Sequence, residues 1–476
     1  MPETFLHGVE LLEITDGPRP IRSVRSSVIG LVGTGDDNGG TTATLEVGSG
    51  NSRVLYTAQA GGVEGNNINV RTVTPAGALT ALSVSVAGRQ ITINLGTGPT
   101  AGVPISTALE VRNAVNASAA AFALVSASLP LGSMGTSPYP VSTGGAFLGG
   151  GAAGDFPADT PVLVTSPRGI DAALGANSYL GKALEAIYKQ AGAVVVVVRT
   201  DDVEGDATEL TGVYALKKAQ AELGYTPRIV VCENAETVID DVKSVCSSLR
   251  AVTFVGLNVT TAATATAATA WSAANANERV MPIWPSINGG QDPAPLAAGL
   301  LAKSDNDRGF WWSPSNQEIF GITSLDAPVD FMLGDTTSLA NVLNEGNVTT
   351  FIRQGGFRLW GNRTGSTDPK WSFLSVRRTA DIINDSIQRA HLWAVDRNIT
   401  KTYFEDVTES VNAYLRTLEN QGAILGGRCW PDPDLNSPDQ IQLGKVYFNF
   451  EFTPPYPAEH ITFRSELVND YLVDLV

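Results

Sequence analysis

Residues 193–200 read Ala193-Val194-Val195-Val196-Val197-Val198-Arg199-Thr200. Five consecutive valines leave no polar face, so the stretch reads as a strand covered on both sides of its sheet. Just before it, residues 177–191 carry Leu180, Leu184, Ile187 and Ala191 at helical spacing. After it the alternation repeats. Helices are expected over 207–223, 236–248 and 263–275, and strands over 228–232, 251–257 and 280–284. Short links between alternating helices and strands imply right-handed crossovers and a largely parallel sheet. The expected fold class is α/β, with this α/β core running from 153 to 355. Within it, residues 285–360 are rich in Gly, Pro, Asp and aromatic side chains and read as loops and edge strands joining two lobes.

On the N-terminal side the composition changes sharply. Residues 34–152 contain no Lys, His, Cys or Trp. Short alternating runs recur at 43–47, 53–57, 68–72, 82–86 and 90–94, with Gly or Asn between them. One helix is expected over 106–117, capped by Ser106 and carrying Leu109, Val111 and Val115. The stretch Phe147-Leu148-Gly149-Gly150-Gly151-Ala152-Ala153-Gly154 reads as a flexible return linker. Residues 34–152 are therefore expected to be a β-rich domain inserted into a host that begins with residues 1–33, an arm followed by a buried-type strand at 27–33.

The C-terminal region, 356–460, reads as α+β. An amphipathic helix is expected over 376–396 and a second over 402–421, with Gly422 where a C-cap belongs. Residues 445–453 alternate strictly, placing Val446, Phe448, Phe450 and Phe452 on one face. A last strand-like piece occupies 461–476.

Composition narrows the function. The 476 residues exceed one ordinary core, so two to four domains are expected. A net charge of −16 argues against a nucleic-acid binder, which needs a basic face. The acidity suits either solubility and mutual repulsion or a charge-matched partner. Cys232, Cys246 and Cys429 form no even framework and no CxxC pair, the pattern of a reduced, cytosol-made chain. The start, MPETFLHGVELLE, lacks the basic and apolar regions of a signal peptide. A soluble protein with no direct membrane binding is expected.

The search for chemistry returns little. His7, His391 and His460 are the three histidines; none lies near a strand-to-helix elbow, and no GxSxG occurs. Gly175 to Lys182 has five residues, not four, between its first Gly and Gly181-Lys182, and Ala183 where a P-loop needs a hydroxyl. It reads as a helix start. Asp201-Asp202 and Asp240-Asp241 read as helix-terminus and surface charges. No catalytic residue, cofactor or metal site is expected. Scattered carboxylates leave an α/β hydrolase-like enzyme with an accessory β domain as the alternative.

The two ends carry apolar, β-prone residues set off by Pro or Gly. These are Phe5, Val9 and Leu11 at the start, and Ile461, Phe463, Tyr471, Leu472, Val473 and Leu475 at the end. A lone apolar strand needs a sheet. It either pairs within its own molecule or is donated to a neighbour, and donation between identical copies generates an open helical assembly.

Several separated blocks then resemble contractile phage tail sheath proteins. The stretches Ile399-Thr400-Lys401-Thr402-Tyr403, Asp406-Val407-Thr408-Glu409-Ser410-Val411-Asn412-Ala413-Tyr414-Leu415, Gln421-Gly422-Ala423-Ile424, Cys429-Trp430, Asn436-Ser437-Pro438-Asp439-Gln440, Gly444-Lys445-Val446-Tyr447-Phe448, Pro454-Pro455 and Ala458-Glu459-His460-Ile461-Thr462-Phe463 are similar to that family's C-terminal domain. Phe5-Leu6-His7-Gly8-Val9-Glu10, Ser26 to Gly33, and Pro161-Val162-Leu163-Val164-Thr165-Ser166 resemble its N-terminal and central parts. The resemblance implies a virion tail protein, made and assembled in the host cytoplasm, that binds itself in six-fold stacked rings. It implies tail tube, baseplate and tail terminator proteins as further partners. Contraction would drive the tube through the target envelope on stored conformational energy, with no cofactor and no nucleic acid bound. It also implies arms that join sheets of neighbouring copies and a tube-proximal domain. Lys401, Glu405, Glu409, Arg416 and Glu419 are then either a tube contact or an ordinary solvated helix face. A bacterial injection machine sheath is the rival within the structural class.

Overall fold

The computed structural model describes residues 20–35, 41–61, 63–152, 154, 156–168, 174–200, 208–258 and 261–469. In chain order the elements are β1 (Val28–Thr34), β2 (Thr42–Val47), β3 (Val54–Gly61), β4 (Asn69–Val73), β5 (Ser83–Ala87), β6 (Gln90–Asn94), α1 (Ala108–Ala117), α2 (Ala119–Phe122), β7 (Val125–Ser128), β8 (Ala146–Phe147) and β9 (Pro161–Val164). There follow α3 (Tyr179–Gln190), β10 (Val194–Thr200), α4 (Thr208–Ala215), α5 (Ala219–Leu223), β11 (Ile229–Cys232), α6 (Ile239–Leu249), β12 (Val252–Gly256), α7 (Ala265–Ala274), β13 (Val280–Ile283), α8 (Ala294–Arg308) and α9 (Leu339–Glu345). The chain closes with β14 (Thr350–Arg353), β15 (Phe357–Trp360), α10 (Leu374–Ala390), α11 (Lys401–Asn420), β16 (Gly426–Pro431), α12 (Pro438–Gln442) and β17 (Phe448–Thr453).

Six strands hydrogen-bond in the order β13-β12-β11-β1-β10-β9. Strands β11, β12 and β13 run parallel, with Ile229 opposite Val252 and Thr253 opposite Val280. All four residues of β11 and of β13 are buried, which accounts for runs without alternation. Two compact units divide the chain, one of residues 1–30, 186–195 and 226–476, the other of residues 31–185 and 196–225.

In the first unit α8 packs on β11 and β12. Here the expectation of irregular structure across 285–360 is corrected: α8, α9, β14 and β15 all lie in that stretch. The reason is visible in α8. Ala294, Leu296, Ala297, Ala298, Gly299, Leu300, Leu301 and Ala302 are all buried, so no polar face marks a helical period. A Cβ on Gly299 would meet the Ile187 carbonyl oxygen at 2.8 Å, so glycine permits the close approach.

Helix α10 is held by buried ion pairs. Arg279 donates to both oxygens of Asp381 at 2.5 and 2.9 Å, and Arg377 donates to Asp381 at 2.8 Å. Arg378 donates to both oxygens of Asp305 at 2.6 Å and to the Ser26 carbonyl at 3.0 Å. Asp385 accepts from Arg228, from Arg250 at 3.4 Å and from Arg389 at 2.9 Å. The helix ends at Ala390, and a 3-10 turn follows, Leu392–Ala394, in place of the continuous helix to 396 expected from sequence.

In the second unit, β2-β3-β7 form an antiparallel sheet, and β5-β6-β4-β8 form another in which β4 and β6 are parallel. One hydrophobic cluster, drawn from residues 43–148, fills the space around them and includes Val54, Tyr56, Ile91, Ile93, Val111 and Val115. The buried hydroxyls of Tyr56 and Tyr139 share a 2.8 Å hydrogen bond, and burial pushes both phenols above their ordinary pKa. The cap of α1 is Thr107, not Ser106. Thr107 Oγ1 accepts from the Glu110 N–H at 3.3 Å, while Glu110 accepts from the Thr107 N–H at 2.8 Å. Ser106 Oγ instead accepts from the Gly96 N–H at 2.8 Å. Leu109, expected in the helix's apolar set, is exposed; Ala108 takes the inward position.

Near the P-loop-like stretch, Ser178 Oγ accepts from the Gly181 N–H at 3.0 Å and Gly175 lies at φ 80°. That is helix-start geometry. Among the described residues no group of three or more His, Cys, Asp or Glu side chains is placed to hold a metal, and no helix is long and apolar enough to cross a membrane.

Candidate intersubunit surface

Helices α10 and α11 and the hairpin-like pair β16-β17 share one hydrophobic cluster. Ile382, Ile383, Val411, Tyr414, Leu415, Leu418 and Cys429 form its buried part, with Phe448, Phe450 and Phe452 packed against it. The three phenylalanines lie on one side of β17 because side chains alternate along a strand. Ile21 joins the same cluster, Ser23 Oγ lies 2.8 Å from the Tyr414 hydroxyl, and the Val24 N–H donates to Ser386 Oγ at 3.0 Å. The described start of the chain is therefore fastened to α10 and α11.

The far end is fastened nearby in sequence terms and then released. Arg363 donates to both oxygens of Glu459 at 2.8 and 2.6 Å, and Tyr456 stacks edge-on with Phe373. From residue 461 to 469 every residue is exposed and none belongs to a strand. Ile461 is exposed and Phe463 is 91% exposed. The expected last strand thus finds no partner among the described residues. Tyr471, Leu472, Val473 and Leu475, like Phe5, Val9 and Leu11, lie outside the described residues.

The β16-β17 pair has two unlike edges. Its register sets Cys429 opposite Phe450 and Gly427 opposite Phe452. On the β16 side, Asn412 of α11 grips Cys429: the Cys429 N–H donates to Asn412 Oδ1 at 2.7 Å, and Asn412 Nδ2 donates to the Cys429 carbonyl at 3.1 Å. The main-chain groups of Cys429 therefore face away from β17, and in an antiparallel ladder those of Phe450 face away from β16. Pro431 adds a position without a donor. On the β17 side no hydrogen bond joins the outward main chain of Phe448, Phe450 or Phe452 to another segment among the described residues. Among the described residues one edge is closed and the other open.

Beside this edge lies a cavity of about 660 Å³ whose walls include Ile399, Tyr403, Val411, Cys429, Phe448 and Phe450. His391 also reaches it; its Nδ1 lies 2.7 Å from the Ile387 carbonyl, while its Nε2 is buried with no hydrogen-bond partner among the described residues. Burial pushes the Cys429 thiol up to about 11, so it is a neutral apolar wall and no nucleophile at neutral pH.

The five charged candidates on α11 are all exposed, but four of them are already paired. Lys401 Nζ lies 3.6 Å from Glu405, and Arg416 pairs with Glu409. Glu419 stands on the last turn. The open edge of β17, the Asn412 clamp and the Arg363–Glu459 pair were not singled out in sequence. Only the strict alternation of 445–453 gave a signal for the first.

Three family descriptions match this chain: the phage tail sheath C-terminal domain over 366–467, the phage tail sheath central domain over 208–365, and the tail sheath protein Gp18 domain III N-terminal region over 141–200. A prophage major tail sheath protein of Pseudomonas aeruginosa (strain UCBPP-PA14) is 40% identical, covering 68% of this chain and 90% of its own. The chain belongs to the phage tail sheath family. The tail sheath protein of Escherichia phage P2 is 32% identical over 67% of this sheath chain and 88% of its own. That of Burkholderia phage BcepMu is 28% identical and covers all of it. About a third of this sheath protein lies outside the alignment with each of the first two relatives, while the alignment with the third spans the whole chain. The fold is also that of solved sheaths. The sheath of an extracellular contractile injection system in the contracted state matches with a TM-score of 0.53 at 19% identity, over 66% of this chain and 88% of that one. The contracted helical sheath of the anti-feeding prophage gives 0.52 at 18%, over 66% and 89%. The protein is a structural subunit of a contractile tail sheath.

Proposed function

We propose that this sheath subunit polymerises by strand donation, with the open edge of β17 as acceptor and the chain ends as donors. The observation that carries the reading is an edge closed at β16 by Asn412 and left open at β17, in a chain whose residues 461–469 are exposed and unpaired. An open edge is a template for another strand. The sixteen residues after His460 span at most about 55 Å when extended, enough to reach a neighbouring copy. Ile461, Phe463, Tyr471, Leu472, Val473 and Leu475 supply the donated strand, and Phe5, Val9 and Leu11 the second arm. The cavity beside Phe448 and Phe450 takes their apolar side chains.

In this reading the functional partition is 1–33, 34–152, 153–355, 356–460 and 461–476, with a largely parallel core sheet. Copies stack as six-fold rings around a tail tube between baseplate and terminator, in the tail of a phage or phage-like particle assembled in the host cytoplasm. Contraction drives the tube through the target envelope without nucleotide, metal, nucleic acid, membrane binding or enzymatic activity. Residues 34–152 face outward and are dispensable for assembly. Glu409, Arg416 and their neighbours on α11 face the tube.

The test is a chain ending at Ser465. It should fold but form no striated tubes by negative-stain microscopy. Normal tubes from the shortened chain would reject strand donation by the C-terminal arm. Reversing the charges at Glu409 and Arg416 together should weaken tube co-assembly; unchanged co-assembly would make that helix face merely solvated.

A further inference from the structure

The described start of the chain runs toward the cavity beside the β17 edge. The Ser26 carbonyl accepts from Arg378 of α10, and two residues earlier the Val24 N–H donates to Ser386 Oγ, about two turns further along the same helix. Followed toward its beginning, the chain therefore climbs α10 in the direction of Ala390. Ile21 is buried in the cluster against which Ile387 and Ala390 pack. Ile387, and His391 just past the helix end, both line the cavity. Val395, on the same wall, is 62% exposed, so the cavity opens to the surface.

The other end of the chain leaves from the opposite end of α10. Tyr456 packs edge-on against Phe373, the residue just before the helix. From Phe373 to His391 the helical rise is roughly 27 Å. Of the two ends, the N-terminal one is thus tethered nearer the cavity. Its sequence there is Leu11-Leu12-Glu13-Ile14, set off from Ile21 by Gly17-Pro18. The chain from Pro20 back to Ile14 reaches at most about 20 Å, well beyond the rise of about 6 Å from Ser386 to Ala390. The walls it would meet, Val395, Ile399, Val407 and Val446, are apolar like Leu11, Leu12 and Ile14.

We propose that in the unassembled subunit the chain's own residues 11–14 occupy this cavity and cover the β17 edge, so that a neighbour's arm must displace them. The inference rests on β17 being the acceptor of donated strands and adds that the acceptor caps itself until assembly. Tethering makes the cap intramolecular, at an effective concentration of about 1 mM for a short link. A segment that binds at about 0.1 mM then fills the cavity in roughly nine chains of ten, and an incoming arm binds about tenfold more weakly. On assembly the same segment is freed for the next copy, an exchange of identical elements that costs little.

The test measures fluorescence anisotropy of a labelled peptide of residues 461–476 on dilute, unpolymerised chains. One is the full chain, one lacks residues 1–17, and one is the full chain with Leu11→Asp and Leu12→Asp. The deletion stops short of Ile21, Ser23 and Val24, so the fastening to α10 is kept. Both variants should bind the peptide about tenfold more tightly than the full chain. Excess unlabelled peptide of residues 1–19 should return the shortened chain to the weaker binding. Equal affinities in all three chains would overturn self-capping while leaving strand donation standing. A peptide that binds none of them would reject strand donation, and this inference with it.

Discussion

Replacing Asp381 with Asn should destabilise the first unit more than any surface change. Asp381 sits in the middle of α10, 2% exposed, and neutralises two guanidiniums that are themselves buried, Arg279 and Arg377. Asn keeps the shape and one acceptor but removes the charge. Breaking a buried pair by removing one partner costs roughly 3–5 kcal/mol, because the remaining charge stays out of water. Both arginines retain some company. Arg279 donates to the Ala251 carbonyl at 3.2 Å, while Arg377 lies 3.2 Å from the partly exposed Glu278 and 4.2 Å from the centre of the Trp371 ring. The expected loss is therefore at the lower end, about 3 kcal/mol. With a urea m-value of about 3 kcal/mol per molar, the midpoint should fall by about 1 M. Urea unfolding of the dilute chain, followed by tryptophan fluorescence, measures it. Adding Arg279→Met should recover part of the loss, since it removes one uncompensated cation. A loss under about 1 kcal/mol, with no recovery in the double variant, would refute the reasoning: water would be reaching the guanidiniums, and the pairs would not be clamping α10.

Asn412→Ala should cost about 1–3 kcal/mol, because the Cys429 main chain loses both partners, and thermal unfolding should register it. Gly299→Ala should cost about 1–3 kcal/mol by forcing a methyl group against the Ile187 carbonyl oxygen, measured in the same way. Cys246, pushed up to about 12 by burial, should be inert to a thiol reagent at pH 8 until the chain unfolds. Because the folded chain holds that proton more tightly than a free thiol of pKa 9, its contribution to stability is intact below pH 9 and is lost as pH climbs from 9 toward 12. Cys246→Ala should flatten that part of a stability-against-pH curve.

Elements with a clean period were legible. The five-valine strand, the helix over 402–421 and the alternating run at 445–453 appear as β10, α11 and β17 with ends displaced by a few residues at most. Period failed where burial left none to see, as in α8, whose apolar residues surround the axis. The cap of α1 was readable but misread: Glu110 stands three residues after Thr107, the spacing of a capping box, and that spacing selects Thr107 over Ser106. On α10, the charges at Arg377, Arg378, Asp381 and Asp385 look like a solvated face. Only the tertiary structure supplies Arg279, Asp305 and Arg228 to bury them. The same limit applies to the candidate surface. That β17 is a half-apolar strand follows from alternation, but that its outer edge is the open one depends on Asn412, thirty-six residues before the start of the strand.

The position of that clamp bears on how a contracting polymer would carry load. A strand donated to β17 would pull on it along its main chain, and the pull would pass through β16 to whatever holds β16 in place. Asn412 holds it by two hydrogen bonds to one residue, and Val411, Tyr414 and Leu415 on the same helix bury against the cluster that also contains Ile382 and Ile383 of α10. Helix α10 in turn is fixed by two groups of buried ion pairs, at Asp381 and at Asp305 with Arg378, and by a partly exposed group at Asp385. Such pairs add little net stability over apolar packing, yet losing one partner is severe, so they resist partial displacement more than an oily interface would. Slippage at an apolar face can proceed by small steps; a buried guanidinium has no intermediate position with water. A chain built this way would yield first in its unpaired segments, such as 461–469, and not along the path from β17 to α10. Asp381→Asn therefore has a second consequence: tubes of the variant, if they form, should shed subunits or unfold in place at a lower temperature than tubes weakened to the same extent within residues 43–148 of the second unit. Equal loss of tube stability from equally destabilising changes in the two places would show that load does not run through α10.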